Sequence, residues 1–147
     1  MKNTISQGFL LNPTGEGKVS WIDHRDIALV AKHILTEDTH HRATYFLTGP
    51  EALSTNDVAR KFTKVLGFEV NSVPIAMEDM RNQLVHTGLD EWRIHSFMAQ
   101  YDMVKGAYGV DVTEDVKRIT GQNPRTLEQF IEEFKGEFSR GREVAVA

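Results

Sequence analysis

The chain contains no cysteine among its 147 residues. This absence excludes a disulfide framework, a thiolate nucleophile and a zinc site built on cysteine. Positive charge is also scarce, since 17 Lys and Arg residues face 21 Asp and Glu residues and leave a formal net charge of −4. We therefore expect no nucleic-acid partner, because phosphate binding needs clustered basic side chains.

Long apolar runs are missing near the start of the sequence. The run at residues 9–11 is far shorter than the apolar region of a signal peptide or a membrane span. We therefore expect a cytoplasmic protein that has no membrane contact. The length fits one domain, which we expect over residues 1–138. Residues 139–147 lack a helical stripe and predict a flexible tail.

The first part of the sequence alternates strand and helix patterns. Residues 8–12 and 18–23 predict two strands, and the turn with Pro and Gly between them favours a hairpin-like pair. Apolar residues at the helical period then predict a helix that begins at Asp26, with Asp26 as its cap. One face of this helix is therefore expected to be buried.

Residues 43–75 predict a strand–helix–strand unit. β-branched and aromatic residues at 43–49 are typical of a buried strand, and a helix capped by Ser54 or Thr55 would end at Gly67. A strand over residues 68–75 would then pair in parallel with the first strand through a right-handed crossover. The pattern after Pro74 predicts four helices. The expected fold class is α/β (α+β), with a small sheet and a mostly helical C-terminal part.

Three segments resemble parts of one known family. They are "KVSWIDHRDIALVAKHIL", "YFLTGPEALSTNDVARKFTKVLG" and "VKRITGQNPRTLEQFIEEF". In order and spacing they look like the C-terminal half of the NmrA-like family, which consists of atypical short-chain dehydrogenase/reductases and includes NAD(P)H-dependent quinone and azo-dye reductases. The resemblance covers about residues 1–138 and implies a truncated Rossmann-like fold.

The dinucleotide loop of such a fold is not found in the sequence. The close glycine spacings, Gly15 with Gly17 and Gly106 with Gly109, lack both the third glycine and the strand-then-helix context. We therefore expect no cofactor to bind to this chain alone. The resemblance also implies that the strand at 43–49 lies beside strands that the chain lacks, so we expect a homodimer to cover this edge.

A polar hinge joins the second predicted strand to the first long helix. Asp23, Arg25 and Asp26 match the family's Asp-x-Arg-Asp pattern, and a helix cap with an Asp–Arg pair explains them structurally. His24 departs from the family's usual Val. A histidine beside two carboxylates could instead act as a general base or a metal ligand, which keeps Asp23 and His24 as catalytic candidates.

The predicted helices after Pro74 carry many methionine and aromatic residues. The resemblance implies that they form the substrate-side lobe, where such side chains can line an adaptable apolar pocket for a small apolar or aromatic ligand. The alternative is that they belong to the core or to a dimer interface. The candidate ligand-binding residues are Met77, Met80, Leu84, Trp92, Phe97, Met98 and Tyr101.

Three ionisable residues of the same region are candidates for acid–base chemistry. Tyr101 and Lys105 lie four residues apart on one helix, a spacing that short-chain dehydrogenases use for proton transfer. At the end of its helix, His86 is placed where the helix dipole favours a cation. We expect His95, beside Trp92, to be buried and to act as a neutral base.

Three functions remain open from the sequence. The chain could be a dimeric binding or regulatory module that has lost its own cofactor site, or a fragment of an NAD(P)H-dependent oxidoreductase. It could also be a cofactor-independent acid–base enzyme, of the cyclase, isomerase or dehydratase type, on a small aromatic or polyketide-like substrate. No metal site is expected, because His33, His40 and His41 would have to bind the ion mostly from a loop.

Overall fold

The computed structural model describes residues 2–138. The prediction of a tail at 139–147 lies outside these residues. The secondary-structure content confirms the α/β class, with little sheet and a mostly helical second half. The elements in chain order are α1 Lys2–Ser6, β1 Phe9–Asn12, β2 Lys18–Val19, α2 His24–Thr36, β3 Leu53–Ser54, α3 Thr55–Leu66, β4 Asn71–Pro74, α4 Met77–His86, α5 Glu91–Lys105, α6 Asp115–Thr120 and α7 Leu127–Glu133, with short 3₁₀ turns at Asp38–His40 and Lys135–Glu137.

Both strand pairs join residues that are distant in sequence. β1 pairs in parallel with β4, from Phe9 opposite Asn71 to Asn12 opposite Pro74. β2 pairs antiparallel with β3. The predicted hairpin between residues 8–12 and 18–23 is therefore wrong. The buried Asn12 side chain closes the intervening turn, accepting from the Thr14 N–H at 3.1 Å and donating to the Gly15 carbonyl at 3.0 Å, so the chain leaves β1 in another direction.

Residues 43–49 form no strand, contrary to the prediction. Within residues 2–138 this segment pairs with no other strand, and side chains bind part of its backbone instead. The Phe46 N–H donates to Asp115 Oδ2 at 2.8 Å, and the Phe46 carbonyl accepts the Thr113 hydroxyl. The predicted parallel unit over 43–75 is therefore also wrong, since β4 pairs with β1 instead.

Helix α3 lies at the centre of the hydrophobic core. Ser54 and Asp57 form a capping box at its start, and Gly67 ends it in the left-handed conformation at φ 77°. One face of α3 packs against α7, β1 and β4. Full burial of each large side chain in this core stabilises the fold by about 1.5–3 kcal/mol. The buried core residues are Ile5, Leu10, Leu53, Val58, Ala59, Phe62, Val70, Ile131 and Phe138.

Helix α2 begins at His24, two residues before the start at Asp26 that its apolar pattern predicts. Asp23 is the cap, because its extended backbone precedes the helix and its carboxylate accepts the Arg25 N–H at 2.8 Å. The prediction that Asp26 caps the helix is wrong. Asp26 is buried, accepts the Arg125 N–H at 2.7 Å and forms an ion pair with the Arg125 guanidinium. It therefore joins α2 to the segment that leads into α7.

Helices α4 and α5 pack against each other and bury little. No side chain of α4 is buried, and in α5 only Ile94 is. The Asp90 carboxylate caps α5, whereas Ala76 gives α4 no side-chain cap. Among residues 2–138, no helix is both long enough and apolar enough to span a membrane.

Candidate functional site

Two neighbouring pockets share one wall. The larger has a volume of about 480 Å³ and the smaller about 200 Å³. The side chains common to both linings are Trp21, Leu53 and Val58. A volume of this order and a mostly apolar lining are typical of sites for small organic molecules. We refer to them below as the larger and the smaller pocket.

The larger pocket has a mainly apolar lining with a few polar side chains. The apolar part includes core side chains such as Phe62 of α3 and Phe130 of α7. The charged or ionisable side chains of the lining are Asp23, His24, Glu51 and Arg125. An apolar molecule could therefore lie over the core while a polar group on it contacts one of these side chains.

The Asp23 carboxylate is already engaged in hydrogen bonds. It accepts from Arg25 Nε at 2.9 Å and from Arg25 Nη2 at 2.6 Å, and Arg25 Nη1 bridges onward to Glu133 at 2.7 Å. The side-chain hydrogen bonds from Arg25 lower the pKa of Asp23 to about 2. A carboxylate this acidic is a weak base, so Asp23 fixes the hinge and places a negative charge at the pocket.

His24 lies beside Asp23 but points into solvent. Its side chain is 82% exposed, and Nδ1 is 3.7 Å from Asp23 Oδ1. The distance is too long for a direct hydrogen bond. His24 nevertheless lines the larger pocket, so a bound molecule would come within its reach.

The smaller pocket lies between the turn after β1 and helix α5. Met80 of α4 and Tyr101 of α5 line it together with Pro13 and Val104. Gly17 brings the turn against α5, because a Cβ at this position would lie 2.6 Å from the Val104 carbonyl oxygen. Burial raises the pKa of Tyr101, so its hydroxyl stays protonated and can donate to a ligand.

The candidate residues on α4 and α5 do not all lie in the same pocket. Met80 and Tyr101 line the smaller pocket, whereas Trp92 and Phe97 are exposed and line neither of the two pockets. The half-buried Met77, Leu84 and Met98 also line neither pocket.

The two histidine candidates of this region face solvent. His86 and His95 are exposed and line neither pocket. The prediction that His95 is buried is wrong, because its neighbour Ile94 is the residue of α5 that is buried.

Pattern reasoning missed Trp21 and the larger pocket. The available signal was an aromatic residue two positions before the polar hinge that begins at Asp23. Trp21 is 52% exposed, which is a large exposed fraction for an apolar residue of this size. The base of the pocket comes from distant parts of the chain, so only the folded structure assembles it.

The histidines after α2 form a hydrogen-bonded cluster. His33 Nδ1 lies 2.6 Å from Glu37 Oε1, and His40 lies 3.3 Å from Glu37 and 2.8 Å from the Tyr45 hydroxyl. Over the part of the chain that the structure describes, no three His, Cys, Asp or Glu side chains are arranged to hold a metal ion.

The helix starts within residues 2–138 do not fit a dinucleotide. Pyrophosphate binds where a glycine-rich turn leaves the N–H groups of a helix start free. The side chains of Asp23, Ser54 and Asp90 accept such groups at α2, α3 and α5, and α4 carries Glu78 and Asp79 in its first turn. These carboxylates would also repel a phosphate.

Known proteins with similar sequences include an azoreductase and an oxidoreductase. No protein-family model matches the chain. It is 36% identical over 124 residues to the NAD(P)H azoreductase of Xenophilus azovorans, covering 84% of this chain and 43% of that protein. It is also 36% identical over 127 residues to the uncharacterized oxidoreductase YesF of Bacillus subtilis, covering 85% and 44%.

A solved structure shows the same fold. The NADPH-dependent quinone oxidoreductase QOR2 of Escherichia coli matches with a TM-score of 0.83 at 20% identity, over 90% of this chain and 48% of that one. The chain thus spans about half the length of the relatives it matches.

By sequence and by fold, the chain is similar to the class of Rossmann-like reductases. Within this class, the chain corresponds to the C-terminal half of an NmrA-like atypical short-chain dehydrogenase/reductase.

Proposed function

We propose that the chain supplies the substrate-side half of an NAD(P)H-dependent reductase site and binds a small apolar or aromatic molecule in the two pockets. The observation that carries this proposal is the pair of adjoining apolar pockets, whose linings also include polar side chains, in a relative of an azoreductase that shares the fold of a quinone oxidoreductase. Azo dyes and quinones are both flat molecules with hydrogen-bond acceptors, and they suit such a lining.

The nicotinamide cofactor would be held by another α/β part with a glycine-rich turn. Two observations support this division of roles. The starts of α2, α4 and α5 carry carboxylates where a pyrophosphate would lie, and within residues 2–138 the segment at 43–49 lacks a neighbouring strand. The chain alone should therefore bind NADPH far more weakly than the low-micromolar range of working sites. Calorimetric titration measures this, and a low-micromolar dissociation constant would contradict the division.

Nuclear magnetic resonance can test the ligand proposal directly, because the chain has only two tryptophans. Trp21 lines both pockets, and Trp92 lines neither. Addition of 1,4-naphthoquinone should shift the indole N–H signal of Trp21 and leave that of Trp92 in place. The absence of saturable binding up to millimolar concentration, or shifts confined to the outer face of α5, would reject the proposed function.

A homodimer is the second part of the proposal. The segment at 43–49 pairs with no other strand within residues 2–138, and Phe46 on it is 74% exposed, so a second copy could cover both. Light scattering at micromolar concentration should report twice the chain mass of 16.7 kDa. Phe46→Lys should shift the equilibrium toward the monomer, with Leu35→Lys, also on an exposed apolar residue, as the control. A wild-type protein that stays monomeric would rule out the dimer.

A further inference from the structure

One aromatic side chain stands between the two pockets. Trp21 contributes to both linings, and about half of its surface is open. The other two shared residues, Leu53 and Val58, are aliphatic and buried in the core. The indole is therefore the aromatic side chain that the two linings share, and a molecule in either pocket would meet it beside the two aliphatic side chains.

The backbone around Trp21 is fixed from both sides. On one side, the Ser20 N–H and Oγ donate to the Gly109 carbonyl at 3.0 and 3.1 Å, and the Ser20 carbonyl accepts the Gly49 N–H at 3.4 Å. On the other side, Asp23 caps α2. An open indole on a fixed backbone forms a preorganised surface, which reduces the entropy lost on binding.

Gly49 makes this position of Trp21 accessible. A Cβ on residue 49 would lie 1.7 Å from the Trp21 carbonyl oxygen, so no other residue fits here unless the backbone moves. The close approach locks the main chain of Trp21 and leaves its ring toward the pockets. Gly49 thus acts through Trp21 as a positioning residue.

The charged groups of the linings restrict the ligand further. Asp23 in the larger pocket is already paired with Arg25, and Arg125 of the same lining is paired with Asp26, so neither charge is left to bind an ionic ligand. Tyr101 remains protonated in the smaller pocket and can donate a hydrogen bond. A neutral ring system that carries a hydrogen-bond acceptor suits both linings.

We propose that Trp21 is a specificity-determining stacking surface, held in place by Gly49, which selects neutral planar aromatic ligands over non-planar ligands of similar size. This inference rests on the proposed function and adds the residue that discriminates. Offset stacking on an aromatic ring is worth about 0.5–1.5 kcal/mol beyond the area buried, which corresponds to roughly 2- to 10-fold in affinity.

The test compares a planar ligand with a saturated one. Calorimetry gives the affinities of 1,4-naphthoquinone and 2-decalone, which have similar skeletons and carbonyl acceptors. A Trp21 variant loses apolar contact area with both ligands, so this loss largely cancels in the ratio of the two affinities. We expect Trp21→Leu to lower this ratio by about 3- to 10-fold, Trp21→Phe to change it by less than about 2-fold, and the matched control Trp92→Leu to leave it unchanged.

A second measurement covers the case in which Trp21→Leu does not fold. Trp92→Phe leaves Trp21 as the only indole, and naphthoquinone should quench its emission saturably, with the dissociation constant found by calorimetry. Trp21→Met, which keeps a long apolar side chain without a ring, repeats the ratio experiment. Circular dichroism and thermal unfolding establish that each variant is folded.

The outcomes separate the two proposals. An unchanged ratio in Trp21→Leu or Trp21→Met, in a protein that still binds naphthoquinone, overturns the role of Trp21 and leaves the proposed function standing. Wild-type protein that binds neither ligand overturns both. A reduced ratio in the Trp21 variants, together with the wild-type ratio in Trp92→Leu, supports the inference.

Discussion

The core around α3 and the outer helices α4 and α5 use similar amino acids to different ends. Around α3 the apolar residues are buried, as Phe62 and Ile131 are. On α5, by contrast, Trp92 and Met103 are exposed, and α4 has no buried residue. Methionine and aromatic residues on a helix therefore do not by themselves mark a core; what matters is whether another element packs over them.

The difference follows from how each region is assembled. Helix α3 contacts β1, β3, β4 and α7, so neighbours cover its apolar stripe. Helices α4 and α5 chiefly contact each other, and α5 also touches β2. Two helices packed together can bury one face each. The remaining apolar side chains stay open, and contiguous exposed apolar surface of this kind often marks an interaction site.

The two regions should differ most in the free energy of unfolding that is lost when a large side chain is truncated. Ile131 is fully buried in the core, and Ile131→Ala should lower the free energy of unfolding by about 2–5 kcal/mol, because it leaves a cavity among side chains that cannot collapse. On the exposed face of α5, Trp92→Ala should change it by less than about 0.5 kcal/mol. Urea unfolding followed by circular dichroism gives both values. Equal losses would show that the outer helices are as tightly packed as the core.

The next largest effect is expected at the hinge, where replacement of its two aspartates should lower stability by different amounts. Asp26 is buried and holds Arg125 through its backbone and side chain, so Asp26→Ala should cost about 1.5–3 kcal/mol. Asp23→Ala removes the helix cap and should cost about 1 kcal/mol. Chemical denaturation of the two variants supplies the comparison. A larger loss for Asp23 would mean that its bridge through Arg25 to Glu133 outweighs the buried pair.

Local signals predicted the helices better than the sheet. Ser54 and Gly67 bound α3 as expected, because a cap and a left-handed terminator are decided within a few residues. The pairing of β1 with β4 joins residues about sixty positions apart, and nothing in either strand specifies the other. The β-branched and aromatic pattern at 43–49 predicts a buried strand and is wrong, because within residues 2–138 the segment pairs with no other strand.

The candidate site was predictable only in part. The apolar pattern of α4 and α5 gave Met80 and Tyr101, which line the smaller pocket. Trp21 could not be placed, because its role depends on Gly49 and on core residues of α3 and β3. Asp23 and Asp26 were recognised as structural, but their roles were exchanged, since the helix period alone does not decide which residue precedes the first turn.

The charge at the hinge should also appear in the pH dependence of stability. The folded-state pKa of Asp23 is about 2, below its ordinary value of 3.8, so the unfolded chain takes up the proton first as pH falls. The stabilisation, about 1–2 kcal/mol with solvent around Arg25 taken into account, is complete above about pH 4 and is lost between pH 4 and 2.

Unfolding of wild type and of Asp23→Asn from pH 7 to pH 2 measures this contribution. The difference between the two proteins should stay constant down to about pH 4 and then shrink. Asp102→Asn, on the exposed side of α5, is the control for a general change of charge. A wild-type advantage that persists undiminished at pH 2 would exclude Asp23 as its source.

The smallest effects are expected within the outer helices, where they test which side chains meet a ligand. Tyr101→Phe removes one hydroxyl donor from the smaller pocket and should weaken naphthoquinone binding by about 2- to 10-fold, the worth of one hydrogen bond of about 0.5–1.5 kcal/mol. His86→Ala and His95→Ala should change it by less than about 2-fold, because both side chains are exposed and line neither pocket. Calorimetry of the three variants decides between them. If either histidine variant weakens binding more than Tyr101→Phe does, the ligand lies on the outer face of α4 and α5, and acid–base chemistry by His86 and His95 becomes the better hypothesis.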